Sequence, residues 1–93
     1  MGYYYRHEFK FSDHALQRIR QRLNLGNEEE YLLKEKVLTM IEKSTQMFET
    51  SNHIYIHTRK NDIYFVIKKP EKLIVTATPI SATKQLYLIE TDQ

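Results

Sequence analysis

Three consecutive runs typical of β-strands, separated by two turn signals, constrain the fold of this chain more than any other feature. The runs are residues 53–58, 63–68 and 73–78, and the turn signals are Lys60-Asn61-Asp62 and Pro70-Glu71-Lys72. Alternating apolar residues rich in Ile, Val, Tyr and Phe favour strands over helices in these runs. Because such short turns join antiparallel neighbours, the sequence predicts an antiparallel meander, with a further short strand at 47–50.

Two helical patterns precede the meander. The first predicts a helix over 13–23, with Ser12 as its N-cap and Gly26 as the left-handed residue that ends it. The second predicts a helix over 27–43 that opens with an Asn-x-x-Glu capping pattern. In both, the apolar residues recur at helical spacing, so each helix has one face suited to covering a sheet.

The two ends of the chain complete the predicted fold. Residues 3–11 alternate as a strand would, whereas 81–88 fit either a last strand or a short helix. Helices that come before a run of hairpin-linked strands indicate an α+β fold. We therefore expect one domain over 1–93, with two N-terminal helices packed on one face of a three- to five-stranded antiparallel sheet.

Composition excludes several classes of function. The 93 residues include no cysteine, which removes disulfides, thiolate zinc sites and thiol nucleophiles. With only two glycines, the chain has neither a P-loop nor a dinucleotide fingerprint, and it has no His-Glu-x-x-His motif. We expect no cofactor and no metal. The longest apolar run, 63–67, is too short to span a bilayer, so the sequence predicts a cytoplasmic monomer or small homo-oligomer.

The first predicted helix carries the most informative polar pattern. His14, Arg18 and Arg22 stand four residues apart, so they drift by only about 40° per step and form one row, here called the cationic stripe. Two guanidiniums beside an imidazole combine an anion site with a group suited to proton transfer. Phosphodiester cleavage needs that combination. The alternative is that these are ordinary solvated side chains of an exposed helix.

The same stretch resembles a known family. Residues 11–22, Phe-Ser-Asp-His-Ala-Leu-Gln-Arg-Ile-Arg-Gln-Arg, resemble the H-A-x-x-R-x-x-x-R segment of small uncharacterised domains from bacteria, phages and mobile elements. Those domains are similar to the barnase/EndoU/colicin/RelE-like ribonuclease fold. The likeness extends in outline over 9–80, but this chain has Leu23 where the family usually has glycine. The resemblance implies a single ribonuclease-like domain.

The resemblance also implies roles for particular residues. His14 would be the general acid or base, and Arg18 and Arg22 would hold the scissile phosphate. Thr76 or Thr78 would donate a hydrogen bond to the phosphorane, in a metal-free reaction that leaves a 2′,3′-cyclic phosphate. For the two threonines, the alternative is the preference of branched side chains for strands.

A second set of residues suggests nucleic-acid binding. Aromatic side chains near cations can stack on unpaired bases, and lysines can follow a phosphate backbone. The predicted binding residues are Tyr3, Tyr5, Arg6, Arg20, Lys68 and Lys69. The alternative is that the tyrosines pack the sheet and the lysines are solvated. His53 and His57 would lie about 13 Å apart on one strand, too far to share a metal, although His57 or His7 could supply a second imidazole.

Three functional hypotheses follow. The first is an RNA-directed protein, a metal-independent endoribonuclease of toxin type, with RNA and an antitoxin as partners. The second is a non-catalytic phage or mobile-element protein that binds nucleic acid or inhibits a host protein complex. The third is an interaction module whose tyrosine-rich strand adds to a partner's sheet edge.

Overall fold

The computed structural model describes residues 9–92, which form an α+β fold of five strands and three helices. The elements in chain order are β1 (Lys10–Phe11), α1 (Asp13–Arg22), α2 (Glu30–Lys43), β2 (Met47–Glu49), β3 (His53–His57), β4 (Ile63–Lys68), β5 (Leu73–Pro79) and α3 (Ala82–Glu90). Most of the strand predicted over 3–11 lies outside the described residues.

The five strands form one mixed sheet in the order β1-β5-β4-β3-β2. Strands β2 to β5 make the predicted antiparallel meander. The prediction of an entirely antiparallel sheet is wrong, because β1 runs parallel to β5. Short turns dictate direction only between consecutive strands, and β1 reaches β5 through most of the chain. Its pairing is fixed by backbone hydrogen bonds, including Ser12 N to Ile74 O at 3.1 Å.

The start of α1 follows the prediction, but the connection to α2 does not. The Ser12 hydroxyl accepts a hydrogen bond from the Ala15 amide, which confirms the N-cap. After α1, Asn24 and not Gly26 takes the left-handed conformation, with φ 56°. Asparagine tolerates this region because its short polar side chain bonds locally. The Asn-x-x-Glu cap also fails, because Glu29 is the N-cap and, within the described residues, its side chain makes no capping hydrogen bond.

The sheet has apolar side chains buried on both faces. The larger group, here called the main core, joins the inner sides of α1 and α2 to one face of the sheet. Its buried members are Phe9, Ala15, Ile19, Leu23, Leu33, Val37, Ile41, Ile54, Ile56, Ile63, Phe65, Ile67, Ile74 and Ala77. These include the apolar positions that recur at helical spacing in the sequence, so the periodicity identified the buried side of each helix.

A smaller cluster, here called the second core, lies on the other face of the sheet. Its buried members are Tyr55, Tyr64, Val66 and Ile80, and Phe48, Val75 and Leu88 pack against them. The ambiguous segment 81–88 proves to be part of α3, whose N-cap Ser81 accepts from the Lys84 amide at 3.1 Å. Pro79 ends β5 and Ser81 begins a helix two residues later, so the chain turns onto this second face.

Candidate functional site

The cationic stripe is assembled on α1 as its spacing predicts. His14 is exposed in the first turn, while Arg18 and Arg22 are half-buried in the following turns. The Arg18 Nε group donates to His14 Nε2 at 3.4 Å, and Arg18 Nη1 donates to Gln21 Oε1 at 3.2 Å. An imidazole nitrogen that accepts a hydrogen bond can also accept a proton from a substrate.

The two arginines of the stripe have no carboxylate partner among the described residues. The ion pairs over 9–92 are Lys34–Glu30, Lys36–Glu28, Lys68–Glu71 and Lys69–Glu49. Arg22 Nε is buried and has no hydrogen-bond partner in this range. Leaving a buried donor unsatisfied costs about 1–3 kcal/mol. The planar guanidinium groups of the two arginines match the geometry of a phosphate.

Lys60 adds a further cation near the end of α1. Its Nζ donates to the carbonyl of Leu23 at 3.3 Å, next along the chain from Arg22. The sequence places Lys60 in a turn, where with Arg59, Lys68 and Lys69 it could follow a phosphate backbone. It gives no signal for the contact with Leu23, because the two residues are distant in sequence. The ammonium satisfies a free carbonyl at the helix C-terminus and complements the helix dipole there.

Arg20 differs from its neighbours on α1. Its Nη1 donates to three backbone carbonyls of the α1–α2 connection, those of Leu25, Gly26 and Glu28, at 3.3, 3.2 and 2.6 Å. The prediction made Arg20 a nucleic-acid-binding residue. In the structure this nitrogen ties the connection to α1, so it serves the fold.

Thr76 and Thr78 are not brought to the cationic stripe. Thr76 pairs with Val66 and Thr78 with Tyr64, and both partners belong to the second core. The helix α1 instead packs on the opposite face, with Ala77 in the main core. The pairing has an irregularity between Val66 and Ile67, opposite the extra residue Val75. Such a bulge reverses the alternation and turns both threonines away from α1.

The remaining predicted binding residues differ in whether the structure describes them and in how available their charges are. Tyr3, Tyr5 and Arg6 lie outside the described residues. Lys69 Nζ is engaged by Glu49 and by the carbonyl of Thr50, both at 2.9 Å. Lys68 is 53% exposed and its nearest carboxylate, that of Glu71, lies 3.9 Å away. Lys68 is therefore the more available cation of the two.

His57 belongs to the other face of the sheet and is held by two backbone contacts. Its Nε2 lies 2.8 Å from the carbonyl of Asn61, and its Nδ1 accepts from the Arg59 amide at 3.1 Å. Because a carbonyl oxygen can only accept, Nε2 is the donor in the contact with Asn61. The ring meets Tyr64 edge-on, with 5.0 Å between centroids. His57 pairs with Tyr64, of the second core, and α1 packs on the opposite face, so the structure does not place it beside His14.

Sequence reasoning missed an aromatic surface on this second face. It consists of Phe48, His53, Tyr55, His57 and Tyr64, from three adjacent strands. Burial raises the pKa of Tyr55; a hydrogen bond with Thr50 opposes this and the charge of Asp92 adds to it. The signal was present as alternation along β3 and β4, but only the strand register shows that these rings are neighbours.

Three comparisons with known proteins gave no match: neither a known protein family, nor a curated protein, nor a solved structure matched the chain. Within residues 9–92, no helix is long and apolar enough to cross a membrane. The same range holds no group of three or more His, Asp or Glu side chains placed to bind a metal ion. The geometry of the site therefore carries the functional argument.

Proposed function

We propose that this protein acts on RNA, binding its phosphates through the cationic stripe and cleaving it without a metal ion. The observation that supports this most directly is the contact between Arg18 and the His14 imidazole, in a stripe whose arginines have no carboxylate partner within residues 9–92. Positive charge and unused donors on one helix side attract a phosphodiester. The imidazole of His14 supplies the base.

The proposed reaction is an internal transfer on the RNA backbone. His14 Nε2 takes the proton of a 2′-hydroxyl, the 2′-oxygen forms a bond to phosphorus, and the bond from phosphorus to the 5′-oxygen breaks. The leaving oxygen takes a proton from water, and a 2′,3′-cyclic phosphate remains. At 3.4 Å the hydrogen bond between Arg18 and His14 is long and therefore weak, so a phosphate can replace it as the partner of Arg18.

A second candidate is a protein of similar fold that binds nucleic acid without cleaving it, as a phage or mobile-element protein would do to inhibit a host complex. The position of Thr76 and Thr78 on the other face favours this candidate. Over the described range, the only hydrogen-bond partner of the His14 side chain is Arg18, so within residues 9–92 no second proton-transfer group is hydrogen-bonded to it. Binding RNA without cleaving it requires only the positive charges of the stripe and no proton-transfer groups.

The test is cleavage of total bacterial RNA in EDTA, with analysis of the new ends. The variants are His14→Ala and Arg18→Ala, with Gln17→Ala as an exposed control on the same helix. We expect wild type and the control to leave cyclic phosphates, and His14→Ala to lose activity by about 100-fold or more, as loss of a general base does.

Absence of cleavage by wild type across pH and substrates would overturn the catalytic proposal. If RNA binding then still falls with Arg18→Ala and with rising salt, the second candidate holds. If binding is also insensitive to Arg18→Ala, the cationic stripe has no role in RNA recognition.

A further inference from the structure

The rings of the aromatic surface pack against one another across three strands. Phe48 and Tyr55 are stacked across β2 and β3 with 4.5 Å between centroids and 6° between ring planes. Tyr64 on β4 meets Phe48 edge-on at 5.7 Å, and His53 lies 6.1 Å from Tyr55. These rings span three strands, so they form a continuous patch on one sheet face. Sheet faces with aromatic side chains stack the bases of single-stranded RNA in known recognition modules.

Polar groups around the patch also fit RNA. Thr76 and Thr78 continue the same two rows of the sheet, because they pair with Val66 and Tyr64. Lys68 pairs with His53 at the adjacent position, on the same face, and is 53% exposed. Hydroxyls and a cation beside aromatic rings are the groups that bind unpaired bases and the phosphates joining them.

Helix α3 covers this surface but is weakly attached to it. Within the described residues, none of its nine residues is buried, and only Leu88 packs against the second core. Its other large apolar side chains point to solvent: Leu86 is 61% exposed, Tyr87 57% and Ile89 48%. A helix that buries so little of its own surface gains little free energy from its position.

Two sets of hydrogen bonds keep α3 in place. Gln85 Nε2 donates to the hydroxyl oxygen of Tyr64 at 2.7 Å. Beyond the helix end, the Asp92 carboxylate accepts from the amide and the hydroxyl of Ser51, at 2.9 and 2.5 Å. Tyr64 also accepts from Gln46 at 3.0 Å, so its hydroxyl keeps a partner when α3 moves away. The contacts of α3 can thus be broken without leaving that buried group unsatisfied.

We infer that α3 is a displaceable cover over a surface that stacks the bases of single-stranded RNA. This inference rests on the proposal that RNA is the ligand, but it concerns a different face from the cationic stripe. Because α3 occupies the surface, RNA reaches it only in the fraction of molecules in which the helix has moved away. The apparent affinity is reduced by that fraction, so weakening the contacts of α3 raises it.

The experiment compares the full-length double variant Gln85→Ala/Asp92→Ala with wild type. The control is Glu90→Ala, which removes a carboxylate from the same helix; among the described residues the Glu90 side chain makes no hydrogen bond or ion pair. The probe is a fluorescein-labelled 2′-O-methyl oligouridylate of about 10 nucleotides, within the range that one binding module covers. It lacks the 2′-hydroxyl that the proposed cleavage needs, so it stays intact during the measurement. Fluorescence anisotropy gives the affinity, and hydrogen exchange of the α3 amides reports its release.

We expect the double variant to exchange its α3 amides faster and to bind the probe about tenfold more tightly than wild type, with Glu90→Ala unchanged. Adding Phe48→Leu, which removes a half-buried ring but keeps an apolar side chain, should abolish that gain. Unchanged exchange would show that these contacts do not hold α3. Faster exchange without tighter binding would show that the surface does not stack bases. Either result overturns the inference.

The Arg18→Ala substitution separates this inference from the proposed function. Introduced into wild type and into the Gln85→Ala/Asp92→Ala double variant, it tests whether the tenfold gain in affinity is independent of the cationic stripe. A gain that persists with Arg18→Ala, while Arg18→Ala itself has no effect in the wild-type background, supports the inference and contradicts the proposed role of the stripe. If Arg18→Ala lowers the affinity and the double variant gives no gain, the role of the stripe is supported and the inference about α3 is contradicted.

Discussion

The helices on the two faces of the sheet differ in how much they bury. On the main-core face, α1 contributes Ala15 and Ile19 and α2 contributes Leu33 and Val37, all with no exposed surface. On the other face, α3 contributes no buried side chain within the described residues. Since burial of apolar area is the main source of stability, α1 and α2 define the fold and α3 adds little to it.

This difference bears on where function can reside. The inner side of α1 is buried against the sheet. Its outer side can therefore carry Arg18 and Arg22, which have no carboxylate partner among residues 9–92, without loss of the fold. On the opposite face the arrangement is reversed, because polar and aromatic groups of the sheet lie inside and α3 covers them. A ligand can approach the cationic stripe directly, whereas it reaches the aromatic surface only if α3 moves.

The largest expected effect tests the difference in burial itself. Ile19→Ala should lower the free energy of unfolding by about 2–5 kcal/mol, because it leaves a cavity in the main core. Leu88→Ala should cost only about 1 kcal/mol, because that side chain is half-buried. Urea unfolding monitored by circular dichroism measures both. Equal losses would mean that α3 is as firmly packed as α1, which would contradict the comparison.

The next effect separates two arginines on the same helix. Arg20→Ala removes hydrogen bonds to three carbonyls and should lower the free energy of unfolding by about 1–2 kcal/mol, a value reduced for its partial exposure. Arg18→Ala should change it by less than about 0.5 kcal/mol, as most surface substitutions do. For RNA affinity the order should be reversed, with the larger loss in Arg18→Ala and the smaller in Arg20→Ala. The same unfolding and anisotropy measurements decide this, and an Arg18 variant that unfolds more easily than the Arg20 variant would contradict it.

These comparisons show which parts of the fold local sequence can predict. The N-cap at Ser12 and the buried positions of the helices depend on residues within a few positions, so the sequence was sufficient. The meander was predictable because its turns are short. The parallel pairing of β1 with β5 depends on strands more than 60 residues apart, with Lys10 opposite Leu73, and no local pattern encodes it.

The candidate site divides in the same way. The row of His14, Arg18 and Arg22 follows from helical spacing, and the structure has it. The position of Thr76 and Thr78 depends on a single irregularity at Val75, and strict alternation would have placed them with Ile74 on the main-core face. Arg20 lies between two residues of the stripe in a similar sequence context, yet its role is set by the carbonyls of a loop.

The two serine N-caps should also distinguish α1 from α3, with a smaller effect on stability. Ser12 caps α1 and Ser81 caps α3, each accepting a backbone amide. Ser12→Ala should lower the free energy of global unfolding by about 1 kcal/mol. Ser81→Ala should scarcely change global unfolding but should speed hydrogen exchange within α3, because that helix opens on its own. Equal effects on global unfolding would show that α3 unfolds only with the rest of the domain.

The smallest expected effect concerns Tyr55, which α3 helps to cover, and the pH dependence of the free energy of unfolding. Burial raises the pKa of Tyr55 above its ordinary value of 10.0, so the folded state retains that proton when the unfolded chain has lost it. The stabilisation is therefore fully present below pH 10.0 and is lost as pH rises through the higher pKa of the folded protein. Tyr55→Phe should make the fall in stability above pH 10 shallower, whereas Tyr31→Phe, at a 64% exposed ring, should not. Urea unfolding at a series of alkaline pH values measures both slopes, and identical slopes would mean that Tyr55 is not buried under α3 in solution.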